Sequence, residues 1–171
     1  MKYFIGIVPS TETAAAIDQL RLQFCAKLVH HLEPHITVVP PFEAFEKQQW
    51  MVEMNQAVHS FPDFSLQLGE PFFFGKRVLS FYVQDVSDVL TALVSSLKDT
   101  QEISDRDTRP YHAHLTLAMQ SFGTSFEQML EMKDKAKELL LVLPPLYVEE
   151  LIVFAREKSG WARKSTLSLS K

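Results

Sequence analysis

The chain has 171 residues, 46% of them apolar, a formal net charge of −4, a pI near 5.9 and a single cysteine. This length and apolar content exclude disorder as the main state, and the acidic balance excludes a duplex-binding surface spread over the whole molecule, so any nucleic-acid contact is local. No run approaches the roughly 18 apolar residues of a membrane span, the N-terminus opens on a strand pattern instead of a signal peptide, and one cysteine allows neither an internal disulfide nor a thiolate zinc site. The expectation is a cytoplasmic monomer with no membrane partner.

Tyr3 to Val8 is short, apolar and rich in β-branched and aromatic residues, the pattern of a buried central strand ended by Pro9. A helix follows, capped by Ser10 or Thr11, with Glu12 at its positive end and Ile17, Leu20, Phe24 and Leu28 as a stripe at helical spacing. Cys25, between Phe24 and Ala26, is expected to be buried and inert. The polar turn His30 to Pro34 leads into a short strand that Pro40-Pro41 should end, because proline donates no ladder hydrogen bond. Trp50, Met54, Ala57 or Val58, and Phe61 form a second helical stripe, stopped by Pro62.

Phe64 to Phe74 and Val78 to Gln84 read as a hairpin with Gly75-Lys76-Arg77 at its tip. A third helix, capped near Ser87, turns Leu90, Leu93, Val94 and Leu97 inward. Thr100 to Arg109 is the most polar stretch and reads as an exposed link between two halves. Pro110-Tyr111 leads into another strand, after which Thr124-x-x-Glu127 and Ser125-x-x-Gln128 both match a capping box. The helix they open has Met129, Ala136 and Leu140 on one face and is closed by Pro144-Pro145. Tyr147 to Ala155 and Thr166 to Leu169 are the last strand-like runs, linked by Arg156 to Lys164 with a turn at Gly160.

Each half therefore holds a helix, a strand that begins His-x-Thr, a second helix and a strand pair, which predicts an α+β fold duplicated about a pseudo-twofold axis. The two special strands carry His35-Ile36-Thr37-Val38 and His114-Leu115-Thr116-Leu117. Six His and nine Thr would give His-x-Thr about 0.3 times by chance, so two copies with aliphatic neighbours are a signal. Strand alternation sets each imidazole beside its own Thr hydroxyl while the aliphatics face the core. A twofold axis would bring His35 and His114 to opposite walls of one cleft.

Histidine titrates near neutral pH, so one imidazole can act as base while the other acts as acid. In-line displacement at a phosphodiester needs that division: a proton leaves the attacking water or hydroxyl, and another reaches the departing oxygen. Thr37 and Thr116 hydroxyls aimed at non-bridging oxygens would hold the phosphate and stabilise its developing charge. Neither a carboxylate cluster for magnesium nor a third ligand to join His112 and His114 around zinc is evident from spacing, so no metal or other cofactor is expected.

The two tetrads, about eighty residues apart in a small α+β chain, resemble the signature motifs of the 2H phosphoesterase superfamily, and within it the bacterial group labelled 2′-5′ RNA ligase-like. The resemblance covers nearly the whole chain, including Tyr3 to Val8 and the closing run Leu151 to Arg156. It implies one domain over residues 1–171 made of two interleaved lobes, with two antiparallel sheets flanking a central cleft and helices packed outside. It also implies hydrolysis of cyclic phosphodiesters such as RNA or nucleotide 2′,3′-cyclic ends, in some members with reversible 2′-5′ ligation. By that likeness His35 is the general acid and His114 the base that activates water; the residues alone leave either order open.

RNA-acting members commonly carry a basic residue shortly after a His-x-Thr motif, where this chain has Val39 and Met119. Cations would have to come from Arg156, Arg163 or Lys164, from Lys76 and Arg77, or from Arg109, and Arg156 is the foremost candidate. Phe42, Phe122 and the Phe72-Phe73-Phe74 run offer rings either for base stacking or for the core. His112, one alternation from His114, either lines the groove or is a plain surface residue; His30, His31 and His59 are expected in solvent. The expected partner is a small nucleotide or RNA end bearing a cyclic phosphate. The alternatives are a non-catalytic phosphate-end or nucleotide-end binding module of the same fold and a zinc hydrolase using His112 and His114.

Overall fold

Residues 1–44, 49–100 and 110–171 are described by a computed structural model. Its strands are β1 (Lys2–Ile7), β2 (Ile36–Glu43), β3 (Phe64–Phe74), β4 (Val78–Gln84), β5 (His114–Met119), β6 (Leu146–Val148), β7 (Glu150–Glu157) and β8 (Gly160–Ser168). Its α-helices are α1 (Thr11–Phe24), α2 (Ala26–His31), α3 (Gln49–His59), α4 (Val89–Lys98) and α5 (Phe126–Leu140). The expected link over residues 100–109 lies, beyond Thr100, outside the described residues.

The strands form one antiparallel sheet in the order β6-β3-β4-β5-β2-β1-β7-β8, which corrects the expectation of two sheets flanking a cleft. The sheet is curled: Ser170, past the edge strand β8, bridges to Pro62, ahead of β3 near the other edge, with Ser170 N–H donating to the Phe61 carbonyl at 2.9 Å. The two His-x-Thr strands are neighbours at its centre, not opposite walls.

Local signals explain most boundaries. The Ser10 hydroxyl accepts from Thr13 N–H and caps α1, and Ser125 with Gln128 closes the capping box of α5 in both directions. Thr124, the other match, instead donates its hydroxyl to the Phe24 carbonyl. The α4 N-terminus is held not by Ser87 but by the Asp85 carboxylate, which accepts from the Thr91 N–H and hydroxyl at 2.8 and 3.0 Å. Pro40 and Pro41 do not end β2: they fall where the β1–β2 register slips between Tyr3↔Phe42 and Ile5↔Val39, a bulge where no ladder N–H is required. Tyr147 to Ala155 is two strands, β6 at one edge of the sheet and β7 next to the other edge, and the expected link Arg156 to Lys164 is mostly strand, turning at Lys158-Ser159.

One face of the sheet is buried under the helices. Ile5, Ile7, Ile36, Val38, Leu79, Phe81, Leu115 and Leu117 pack there against Ile17, Leu20, Met54, Val58, Leu90, Leu93, Val94, Leu97, Met129 and Met132. Cys25, at the break between α1 and α2, is buried beside them. The opposite face carries a smaller cluster of Phe4, Ile152 and Phe154, flanked by Val8, Leu32 and Trp161. No helix among the described residues is long and apolar enough to cross a membrane.

Candidate functional site

Strands β2 and β5 meet through the pair Ile36↔Leu115, and both side chains are fully buried in the helix-covered core. Alternation therefore turns His35, Thr37, His114 and Thr116 to the other face, where all four are partly exposed. Extending that register by one residue either way sets His35 opposite Thr116 and Thr37 opposite His114, with Cβ atoms about 5 Å apart. The two imidazoles thus lie on one diagonal of a small rectangle and the two hydroxyls on the other.

Both rings are fixed in the same manner. His35 Nδ1–H donates to the Glu33 carbonyl at 3.0 Å, and His114 Nδ1–H donates to the His112 carbonyl at 2.7 Å, each two residues upstream. Because a carbonyl only accepts, these bonds set the tautomer and leave each Nε2 as the acceptor nitrogen of a neutral ring. The strands adjoining on either side repeat the correspondence: Gly6 of β1 pairs with Thr37, and Ser80 of β4 pairs with Thr116.

The supports differ. The Arg21 guanidinium, 2% exposed, pairs with Asp18 at 2.9 Å and donates to the Leu32 carbonyl at 2.9 Å, while Arg163 grips the Glu33 carboxylate with two bonds of 2.7 and 2.6 Å. The turn ahead of His35 is therefore clamped from two elements. Burial pushes the His35 imidazole down to about 4, against its bond to the Glu33 carbonyl and with help from the Arg21 and His114 charges. His114, less deeply buried, is lowered by the same cause in lesser company. Burial thus favours the neutral form of both rings.

Aromatic rings flank each histidine. Phe4 lies 4.9 Å from His35, with Phe154 stacked on Phe4 at 4.4 Å and Trp161 edge-on to it at 4.8 Å. On the other side Phe74 stands edge-on to His114 at 4.8 Å and to Phe72 at 4.7 Å.

Of the expected binding residues, Arg156 is exposed over the Trp161 ring at 5.6 Å and donates to His31 Nε2 at 2.9 Å. It stands two rings, Trp161 and Phe4, from His35. His112 contributes its carbonyl to the site, and its side chain is exposed. Phe42 is corrected: it is 2% exposed, packed between Tyr3 and Trp50 in the core, and offers no face to a ligand. Arg163 is occupied by Glu33, Lys76 lies over Phe126 on the helix side, and Arg109 falls outside the described residues. His31, expected in solvent, is partly buried against Phe122, and His30 and His59 are exposed.

Among the described residues no three His, Cys, Asp or Glu side chains cluster as a metal site would require. A cavity of about 470 Å³ lies beyond the end of β1, lined by Val8, Ser10, Thr11, Tyr147, Glu150 and Arg163 among others. It contains none of the four tetrad side chains, and its carboxylates disfavour an anion.

Several contributors escape motif reading. Tyr111 donates its hydroxyl to the Thr37 carbonyl at 3.0 Å and so ties the approach of β5 to β2. Arg21 is another, hidden in an ordinary helical repeat. Gly6 is the one with a sequence signal, a lone glycine inside a strand pattern, which marks close approach.

The family model of the 2′-5′ RNA ligase superfamily matches residues 9–159. No curated protein matches the chain significantly. Among solved structures, a phosphoesterase superposes with a TM-score of 0.64 at 16% identity, covering 99% of both chains. E. coli LigT in apo form superposes at 0.62 with 18% identity over 99% of this chain and 98% of that one, and LigT has also been solved complexed with 3′-AMP. Kluyveromyces marxianus Usb1 gives 0.58 at 13% identity over 98% of each chain. At these identities the likeness establishes the shared fold.

Proposed function

Since the chain belongs to the 2′-5′ RNA ligase superfamily, we propose that it is a metal-independent phosphoesterase that opens nucleotide or RNA 2′,3′-cyclic phosphates to 2′-phosphates. The observation that carries this reading is the matched pair of Nδ1–H···O=C bonds at His35 and His114, which presents two Nε2 atoms on one face beside two Thr hydroxyls. Binding alone needs no such pair, whereas displacement at phosphorus needs one group to take a proton and another to give one.

The roles are those the family likeness assigns, an order the residues alone leave open: His114 Nε2 takes the proton from the attacking water as the new P–O bond forms. His35, having taken up a proton from solvent, gives it to the ribose 3′ oxygen as the P–O(3′) bond breaks; the phosphate anion beside it favours that uptake against the burial that keeps the free ring neutral. Thr37 and Thr116 donate to the non-bridging oxygens. A 5′-hydroxyl in place of water would run the same chemistry as 2′-5′ ligation. Arg156, exposed beside Trp161 and hydrogen-bonded to His31, is the cation this reading assigns to a second phosphate, and the LigT complex with 3′-AMP supports a nucleotide as ligand.

The test is turnover in EDTA of nucleoside 2′,3′-cyclic monophosphates and of a short RNA with a cyclic end. His35→Ala and His114→Ala should each lose about 10²-fold or more while remaining folded. Activity that survives both substitutions, or that EDTA abolishes, overturns the reading. The scarcity of cations, with Val39 and Met119 after the motifs and Arg163 already paired, favours as second reading a phosphate-end binding module, which would bind 2′-AMP without turnover.

A further inference from the structure

We infer that Phe72, Phe74 and Tyr82 form a platform on which the nucleobase of the substrate stacks; the inference rests on the proposed phosphoesterase reading. The platform is made by a bulge. In β3, Phe64 and Leu66 face the core, but the register against β4 slips between Leu68↔Val83 and Pro71↔Phe81. The slip reverses the alternation: Pro71 becomes buried, Phe73 meets Phe126 of α5 at 5.2 Å, and Phe72 and Phe74 turn to the face of the histidines.

Tyr82 pairs with His114 across the β4–β5 ladder, which sets its Cβ about 5 Å from that of the imidazole. Its ring lies over Gly69, where a Cβ would come within 3.1 Å of Cδ1, and Phe72 stands edge-on at 6.3 Å. Glycine thus lets the ring lie down along the sheet. Tyr82 remains 48% exposed and Phe72 and Phe74 partly so, although the core beneath is filled without them. Three contiguous rings left partly in water beside His114 need an occupant, and a flat ring joined to the phosphate through one ribose fits that position. The opposite wing offers less: Phe4 and Phe154 are buried, and Trp161 is covered by Arg156. Because a π-face is common to every base, the platform favours nucleotides over base-free esters without selecting one base.

The experiment compares adenosine 2′,3′-cyclic phosphate with glycerol 1,2-cyclic phosphate, the same ester without a base, on the wild-type protein, Tyr82→Phe and Tyr82→Ala. The wild type should prefer adenosine by roughly 5- to 100-fold in KM, Tyr82→Phe should keep that preference, and in Tyr82→Ala it should fall towards unity. Equal KM values in the wild type, or a preference that survives Tyr82→Ala, overturns the platform and leaves the phosphoesterase reading intact. If neither ester is turned over, that reading fails, and calorimetric binding of 2′-AMP decides the platform: weaker binding by Tyr82→Ala supports it, and an unchanged Kd overturns it.

Discussion

The Tyr111 hydroxyl donates to the Thr37 carbonyl at 3.0 Å, joining the segment ahead of one histidine to the strand that follows the other. Only Ile36↔Leu115 pairs β2 with β5 in the ladder, so this bond is a second tie between the two halves of the site. Tyr111→Phe keeps the ring and removes the donor to that carbonyl. It should cost about 1 kcal/mol in urea unfolding and lower kcat more than it raises KM, because what it loosens is the spacing of the histidines. A kcat unchanged within two-fold would show that the ladder pair alone suffices.

Stability should fall with acid in a window set by His35. Its imidazole is lowered from 6.5 to about 4 on folding, so between these values the unfolded chain binds the proton and the native one does not. Where the unfolded state binds more protons, stability rises with pH. The contribution is complete above about pH 6.5 and is lost on descent towards pH 4, a change on the order of 3 kcal/mol at one site. His114 is shifted the same way and adds to the slope. Urea midpoints measured between pH 4 and 7 should show a flatter profile for His35→Gln than for the wild type; parallel profiles would place the acid sensitivity elsewhere.

Arg21 shows how a charge can serve the site from within the core. Paired with Asp18 within α1, it joins that helix to the turn ahead of His35 through the Leu32 carbonyl, and Arg163 holds the same turn through Glu33. Arg21→Met should destabilise by roughly 2–4 kcal/mol, since Asp18 and Leu32 both lose a partner, with some relief because Asp18 is 26% exposed. Arg21→Lys should recover only part, as an ammonium cannot span both acceptors in the guanidinium's plane. Urea unfolding of the two variants checks the order, and equal stability of lysine variant and wild type would contradict it.

The local elements were legible in the sequence because each is fixed by neighbours along the chain. The β3–β4 hairpin has the limits set by its strand runs and Gly75-Lys76-Arg77, and α5 starts at the Ser125 capping box. The tetrads announced their own alternation. What the sequence did not show depends on register and on partners distant in the chain. A bulge in β3 decides which of Phe72, Phe73 and Phe74 enters the core, and a bulge between β1 and β2 lets the strand pass through Pro40-Pro41. The single curled sheet follows from which hairpin docks on which His-x-Thr strand: β3–β4 lies beside β5, not β2, and no local pattern encodes that choice. Phe42 was open to either reading for the same reason, its face being set by a strand longer than its prolines suggested.

Gly6 offers the sharpest separation between fold and site. Its φ is ordinary, so alanine is not strained there by backbone conformation, yet a Cβ would lie 3.1 Å from the Ile36 carbonyl oxygen, 3.3 Å from the Phe4 ring and 3.4 Å from His35 Cδ2. The Ile36 carbonyl belongs to the central ladder and yields little; the two rings yield more. Gly6→Ala should therefore displace His35 and Phe4 by a few tenths of an ångström, at about 1 kcal/mol of stability from overpacking. A misplacement of that kind acts on proton transfer more than on binding, so kcat should fall roughly ten-fold with KM little changed. Gly69→Ala, where the nearest contact is Tyr82 at 3.1 Å, is the companion measurement: it should raise KM for a nucleotide and spare kcat. If both variants altered kcat and KM alike, crowding of the sheet as a whole, and not the placement of individual rings, would be the cause.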